Sequence, residues 1–137
     1  MGTKVRIDPG WPRFRRRTWA PAVRKGNMVF ISGTAGTDEE GNLVGPGDVV
    51  AQTAQIYKKI GQLLAEAGAT WDDVVWTTDY LVIDGDYQKT MDNYKRTADI
   101  RRQYFGTNFP ASTAIIVEGL VSPDCLIEIE AIAVLGD

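Results

Sequence analysis

Residues 110–134 read Pro-Ala-Ser-Thr-Ala-Ile-Ile-Val-Glu-Gly-Leu-Val-Ser-Pro-Asp-Cys-Leu-Ile-Glu-Ile-Glu-Ala-Ile-Ala-Val. Ser112 to Val117 and Leu126 to Val134 are rich in β-branched residues, and Ser122-Pro123-Asp124 between them is turn chemistry, so two strands paired at the end of a sheet are expected. Side chains alternate along the second strand. Glu128 and Glu130 therefore share one face, and Ile127, Ile129 and Ala131 share the other. A strand this apolar should be well buried, where a carboxylate needs a partner or a purpose. The plain alternative is that one or both face water or pair with an arginine.

Working outward, strand signals at 22–24 and 28–33 flank the turn Lys25-Gly26-Asn27. Asp48 is placed to cap a helix whose apolar positions Val50, Ala54, Tyr57, Ile60, Leu64 and Ala67 recur at three and four residues, and Gly68 ends it. Thr70 and Asp73 form a capping box before a strand from Val74 to Ile83. Asp84-Gly85-Asp86 starts a second helix, with Tyr87, Met91, Tyr94, Ala98 and Phe105 in approximate period up to Gly106. This order predicts an α+β domain spanning 1–137, a mixed sheet with two helices on one face. Val29, Ile31, Ile115, Val117, Ile129 and Ala131 cannot all be hidden beneath two helices. Oligomerisation is the expected cover for the rest.

Residues 1–21 are irregular in pattern: Pro9, Pro12 and Pro21 interrupt any helix, and Arg13, Arg15, Arg16 and Arg17 interleave with Trp11, Phe14 and Trp19. Such an arm can bind nucleic acid or planar anions, but reads first as a solvated or subunit-contact segment. The chain carries a net charge of -3, which speaks against nucleic acid as a partner. With 137 residues, 44% hydrophobic, it has the size and composition of one globular domain. It shows no apolar run of membrane-span length and no signal-peptide pattern, so an intracellular, cytoplasmic protein with no membrane partner is expected. There is no histidine and one cysteine, Cys125. That excludes the usual zinc sites, a Ser-His-Asp triad and a Cys-His pair, and leaves acid–base work to Asp, Glu, Lys, Tyr or Cys. Cys125 either faces a pocket mouth or fills a core gap.

Pro110-Ala111 followed by Glu128-Ile129-Glu130-Ala131-Ile132-Ala133 is similar to the C-terminal signature of the Rid (YjgF-type) reactive-intermediate deaminase superfamily. Residues 22–33 resemble its N-terminal hairpin and residues 67–75 its helix-to-strand passage, so the likeness covers nearly the whole chain. The resemblance implies a chorismate-mutase-like fold assembled as a homotrimer, with sites in the clefts between subunits. It also implies a hydrolytic deaminase of an enamine or imine carboxylic acid that needs no metal and no cofactor. Glu128 stands where the family's catalytic carboxylate does. Ser112 stands where the arginine that holds the substrate carboxylate is expected, Trp19 replaces an aromatic hydroxyl, and Met91 replaces an amide.

Arg24, or an arginine of the 13–17 arm such as Arg17 reaching a neighbouring subunit, is then the candidate replacement cation, although Arg24 reads equally as an exposed hairpin charge. Thr34 joins Ser112, Arg24, Trp19, Met91 and Arg17 in the expected substrate-binding set. The Pro-Ala-Ser-Thr variant resembles branches that include the 2-aminomuconate deaminases of aromatic catabolism, which suggests a longer, doubly carboxylated small-molecule substrate. The competing readings are a non-catalytic or chaperone-like trimer that binds small metabolites, and RNA binding or cleavage.

Overall fold

Every second side chain of the strand Ile127–Val134 is buried, as its alternation requires. The computed structural model describes residues 2–136; Met1 and Asp137, the ends of the expected 1–137 domain, lie outside the described residues. The strands are β1 (Val5–Ile7), β2 (Ala22–Lys25), β3 (Met28–Ala35), β4 (Val74–Val82), β5 (Ala111–Val117) and β6 (Ile127–Val134). The helices are α1 (Val49–Ala67), α2 (Tyr87–Arg96) and α3 (Ala98–Phe105), and short 3-10 turns lie at Pro12–Arg16, before β2, and at Trp71–Asp73, before β4. One six-stranded mixed sheet has the order β1-β2-β3-β6-β4-β5, with only β4 and β5 parallel. The helices pack on one face of it, giving the expected α+β architecture. No helix among the described residues is long and apolar enough to cross a membrane.

Local chemistry sets the helix ends. Asp48 accepts from the amides of Val50 and Ala51, both at 3.0 Å, and Gly68 closes α1 at φ 77°, a left-handed turn that suits glycine. The Thr70–Asp73 capping box is formed. The inward stripe of α1 differs from the expected one. It runs through Gln52, Thr53, Ile56, Tyr57, Lys59, Ile60, Leu63, Leu64 and Ala67, while Ala54 faces solvent.

The second helical segment is broken at Thr97, whose hydroxyl donates to the Tyr94 carbonyl at 2.6 Å and accepts from Arg101 at 2.7 Å. A threonine bonded back to its own helix competes with the ladder and bends the chain. Tyr87, expected on the inner face, is exposed. Beneath these helices Asp79 is 1% exposed and accepts from the Tyr94 hydroxyl at 2.6 Å, with Arg101 at 3.8 Å. Burial pushes its carboxyl up, against the opposing Tyr94 hydrogen bond and Arg101 charge.

Three expectations are corrected. First, β5 and β6 do not pair, because β4 lies between them. Helices α2 and α3 carry the chain back before β5 starts, so β5 runs parallel to β4, and residues 118–126 must cross to reach the far side of β4. Second, the arm is not wholly irregular: Val5–Ile7 adds an antiparallel edge strand to β2. Third, Val29, Ile31, Ile129 and Ala131 are buried beneath the helices. Of the expected set Ile115 does lie on the open face, and the other exposed apolar side chains there are Met28, Phe30 and Trp76, the four being 37 to 42% exposed.

Gly36, just past β3, sets how closely α1 approaches the sheet: a Cβ there would lie 2.8 Å from both the Cα and the carbonyl oxygen of Gln52. Backbone cannot yield as a flexible side chain does. Gly36→Ala is therefore expected to destabilise the protein by about 1–3 kcal/mol, read as a lower urea midpoint with an unchanged slope.

Candidate active site

Strand β6 carries Glu128 onto the face without helices, paired with Ala35 on β3 and with Tyr80 on β4. Between Ile31 and Thr34 the register shifts, so β3 holds one residue more than β6 opposite Ala131 and Ile129. Such a bulge bends its strand and re-aims side chains. Here it lets Ile31 and Thr34, an odd number of residues apart, both turn toward the helices. It also sets Gly33 against Glu128, where a Cβ would lie 3.0 Å from the carboxyl carbon. Glycine at this position leaves room for the carboxylate to lie flat on the strand.

The arm folds over the same place. Its anchor is Ser32, whose hydroxyl donates to the Ala20 carbonyl at 2.6 Å and whose amide donates to the Pro21 carbonyl at 3.0 Å. Trp11 is buried at 4% exposure, and Arg17 stacks 4.8 Å from the ring centre of Trp19 and 5.6 Å from that of Phe14. Between arm, bulge and the loop before β6 lies a cavity of about 290 Å³. Glu128 is the sole carboxylate among its lining residues, which also include Arg13, Arg17, Trp19, Lys59 and Cys125.

Loss of water holds Glu128 above the usual carboxylate range, the charge of Glu130 adds to this, and Lys59 opposes it. Glu130 itself accepts from the Tyr80 hydroxyl. Burial pushes the Cys125 thiol up, against a hydrogen bond from Ser122. The two readings of Cys125 merge, since it is 3% exposed and also lines the cavity.

Of the expected residues, the chain brings Trp19, Arg17 and Thr34 together with Glu128. The Thr34 hydroxyl donates to the Ser32 carbonyl at 2.8 Å, so it closes the bulge and serves the cavity as wall. The other three lie elsewhere in the chain. Ser112 is on the helix side of the sheet, its hydroxyl 2.9 Å from that of its register partner Thr77, because the strand parity that aims Glu128 at the open face aims Ser112 away. Arg24 donates to the Ala67 carbonyl at 2.9 Å and the Gly26 carbonyl at 3.0 Å, which fastens the C-terminus of α1. Met91 packs against the core beneath the helices.

Lys59 is the cavity residue that pattern reading overlooked. It occupies the inward register of α1, three residues after Ile56 and four before Leu63, and a lysine inside an apolar stripe was the available signal.

The sequence profile of the Endoribonuclease L-PSP family matches residues 14–135. A RutC family protein of Pyrococcus abyssi is 35% identical over 115 residues, 84% of each chain. The 3-aminoacrylate deaminase RutC of Acinetobacter baylyi is 34% identical over 115 residues, 84% of this chain and 85% of its own. Among solved structures, the Rid family protein YyfA of Yersinia pestis superposes with a TM-score of 0.83 at 30% identity, covering 97% of this chain and all of its own.

Because Glu130 raises the Glu128 value through like charge, Glu130→Gln is expected to move the Glu128 titration midpoint toward lower pH. Carbon NMR of the side-chain carboxyls measures this. A midpoint unmoved in the folded variant would show that burial alone tunes the acid.

Proposed function

We propose, since the chain belongs to the Endoribonuclease L-PSP family and within it resembles the Rid and RutC proteins, that it is a hydrolytic deaminase of an enamine or imine carboxylic acid. The observation that carries the reading is Glu128, a single half-buried carboxylate with a raised pKa on a cavity otherwise lined by cations, aromatic rings and small groups.

The reaction converts C=NH and water into C=O and ammonia. An enamine first takes a proton at carbon to become the iminium, C=NH2+, which an imine reaches by protonation at nitrogen. Glu128 as carboxylate removes a proton from water as the oxygen bonds to the iminium carbon, giving a neutral carbinolamine. The protonated Glu128 then returns that proton to nitrogen, the C–N bond breaks as the hydroxyl gives its proton back to the Glu128 carboxylate and C=O forms, and ammonia leaves. A carboxyl shifted toward neutrality serves both steps, since it is neither too acidic to accept nor too basic to release. The cavity cations would hold the substrate's carboxylate by charge-assisted hydrogen bonds.

Our reading of the substrate is an extended dianion, 2-aminomuconate or a related amino-dienedioate of aromatic catabolism, acted on in the cytoplasm. The flat wall of Trp19 and the excess of cations over the one carboxylate support it. The assembly in this proposal is a homotrimer that covers Met28, Phe30, Trp76 and Ile115.

Ammonia release from a panel of short and dienoic amino and imino acids tests the activity. Glu128→Gln is expected to lower turnover by roughly 10²- to 10⁴-fold while the protein stays folded. Full activity in that variant would remove the catalytic assignment, and silence across the panel would favour a metabolite-binding protein. A kcat/KM highest on 3-aminoacrylate, the substrate in the name of the Acinetobacter relative, would overturn the extended substrate. Sedimentation is expected to show a trimer at micromolar concentration, and a stable monomer would refute the shared site.

A further inference from the structure

Lys59 is 7% exposed, yet no carboxylate among the described residues lies within ion-pair distance of it. The ion pairs among the described residues are Arg6–Asp8, Lys89–Asp84, Arg101–Asp79 and Arg102–Asp99. Its ammonium donates to the Ala35 carbonyl at 2.8 Å and the Thr37 hydroxyl at 3.0 Å and sits 5.5 Å from the ring centre of Trp11. These partners are neutral. They engage two of its three protons and leave its charge without a counterion.

Arg13 compounds the imbalance. It donates to the same Thr37 hydroxyl, so one small acceptor holds two cations side by side. Like charges gathered out of water are costly unless an anion joins them. Asp38, the nearest acid on the loop after β3, already accepts from the amides of Glu40 and Asn42. Both Lys59 and Arg13 line the cavity that Glu128 enters.

We propose that Lys59 and Arg13 form an anion subsite in the wall of this cavity, which takes a carboxylate of the ligand through the free Lys59 proton and the Arg13 guanidinium. Its identification with the distal carboxylate of a dianionic substrate rests on the deaminase reading; the anion subsite itself does not. The ligand class is a linear dicarboxylate, with one end at Lys59 and the reacting carbon beside Glu128.

The groups that face Lys59 are Arg13 and Arg17 of the arm, Asp38 after β3, Cys125 before β6 and Glu128 on β6. Burial first, and Arg13 next, lower the lysine to about 8. An anion binds the protonated form, so affinity is level below that pH and falls as pH rises through it.

Calorimetry of the full chain with adipate, a saturated dicarboxylate of muconate length, tests the subsite without any turnover. Adipate is expected to bind roughly 10- to 100-fold more tightly than its neutral diamide, a difference of charge-assisted hydrogen bonds. Lys59→Met should abolish that preference while diamide binding is unchanged, Lys59→Arg should restore part of it, and affinity for adipate should decline above about pH 8. Should Lys59→Met fail to fold, the more exposed Arg13→Gln and the wild-type pH profile decide. Equal binding of adipate and diamide, or a preference untouched in Lys59→Met and Arg13→Gln, overturns the subsite. Ammonia release from monocarboxylates alongside a failed adipate test would sink this proposal and leave the deaminase standing. Adipate binding with no ammonia release from any substrate would do the reverse.

Discussion

The alternation of β6 is the constraint on which the rest depends. Ile127, Ile129, Ala131 and Ala133 are at most 2% exposed, and fixing them beneath the helices fixes the opposite parity for Glu128 and Glu130. Ladders on both sides hold that parity, with β3 on one flank and β4 on the other. A slip of one residue would exchange the isoleucines for the glutamates across the whole strand, so the register is strongly specified. The carboxylate is thus placed by the core packing of its neighbours, and the Gly33 bulge only clears its path.

Much of this was readable from the chain. Capping residues such as Asp48, Gly68 and the Thr70–Asp73 pair act within one turn of themselves, and local signals report local structure. Strand propensity, in contrast, says nothing about neighbours. The β-branched runs at 112–117 and 126–134 were visible as strands, while the insertion of β4 between them is a property of the whole sheet. Ser112 shows the same limit. Its distance in sequence from Pro110 is conserved in any reading, but the face it occupies depends on pairing with Thr77. The break at Thr97 came from a side chain competing with its own helix, which a period count does not register.

Polar groups within the core follow one logic. Gln52, with 0% exposure, donates to the Gly45 carbonyl at 3.1 Å and accepts from the Leu126 amide at 2.8 Å, stitching two loops to α1. Asp79 has the Tyr94 hydroxyl. Gln52 and one oxygen of Asp79 have partners that reduce their desolvation cost, whereas the other Asp79 oxygen and the Tyr57 hydroxyl are buried without one. Lys59 departs from that logic in charge alone, which separates a structural polar residue from one awaiting a ligand.

The arm that covers the cavity is one contiguous run, and most of the cations and rings on the cavity wall belong to it, whereas the acid belongs to an inner strand gripped on both edges. A handful of neighbouring codons therefore carries most of the cations and rings of the cavity wall, and a distant, heavily constrained segment carries its carboxylate. Inheritance can alter the first without disturbing the second. The wall of such a scaffold can be rewritten as a cassette while its acid stays where the core packing holds it.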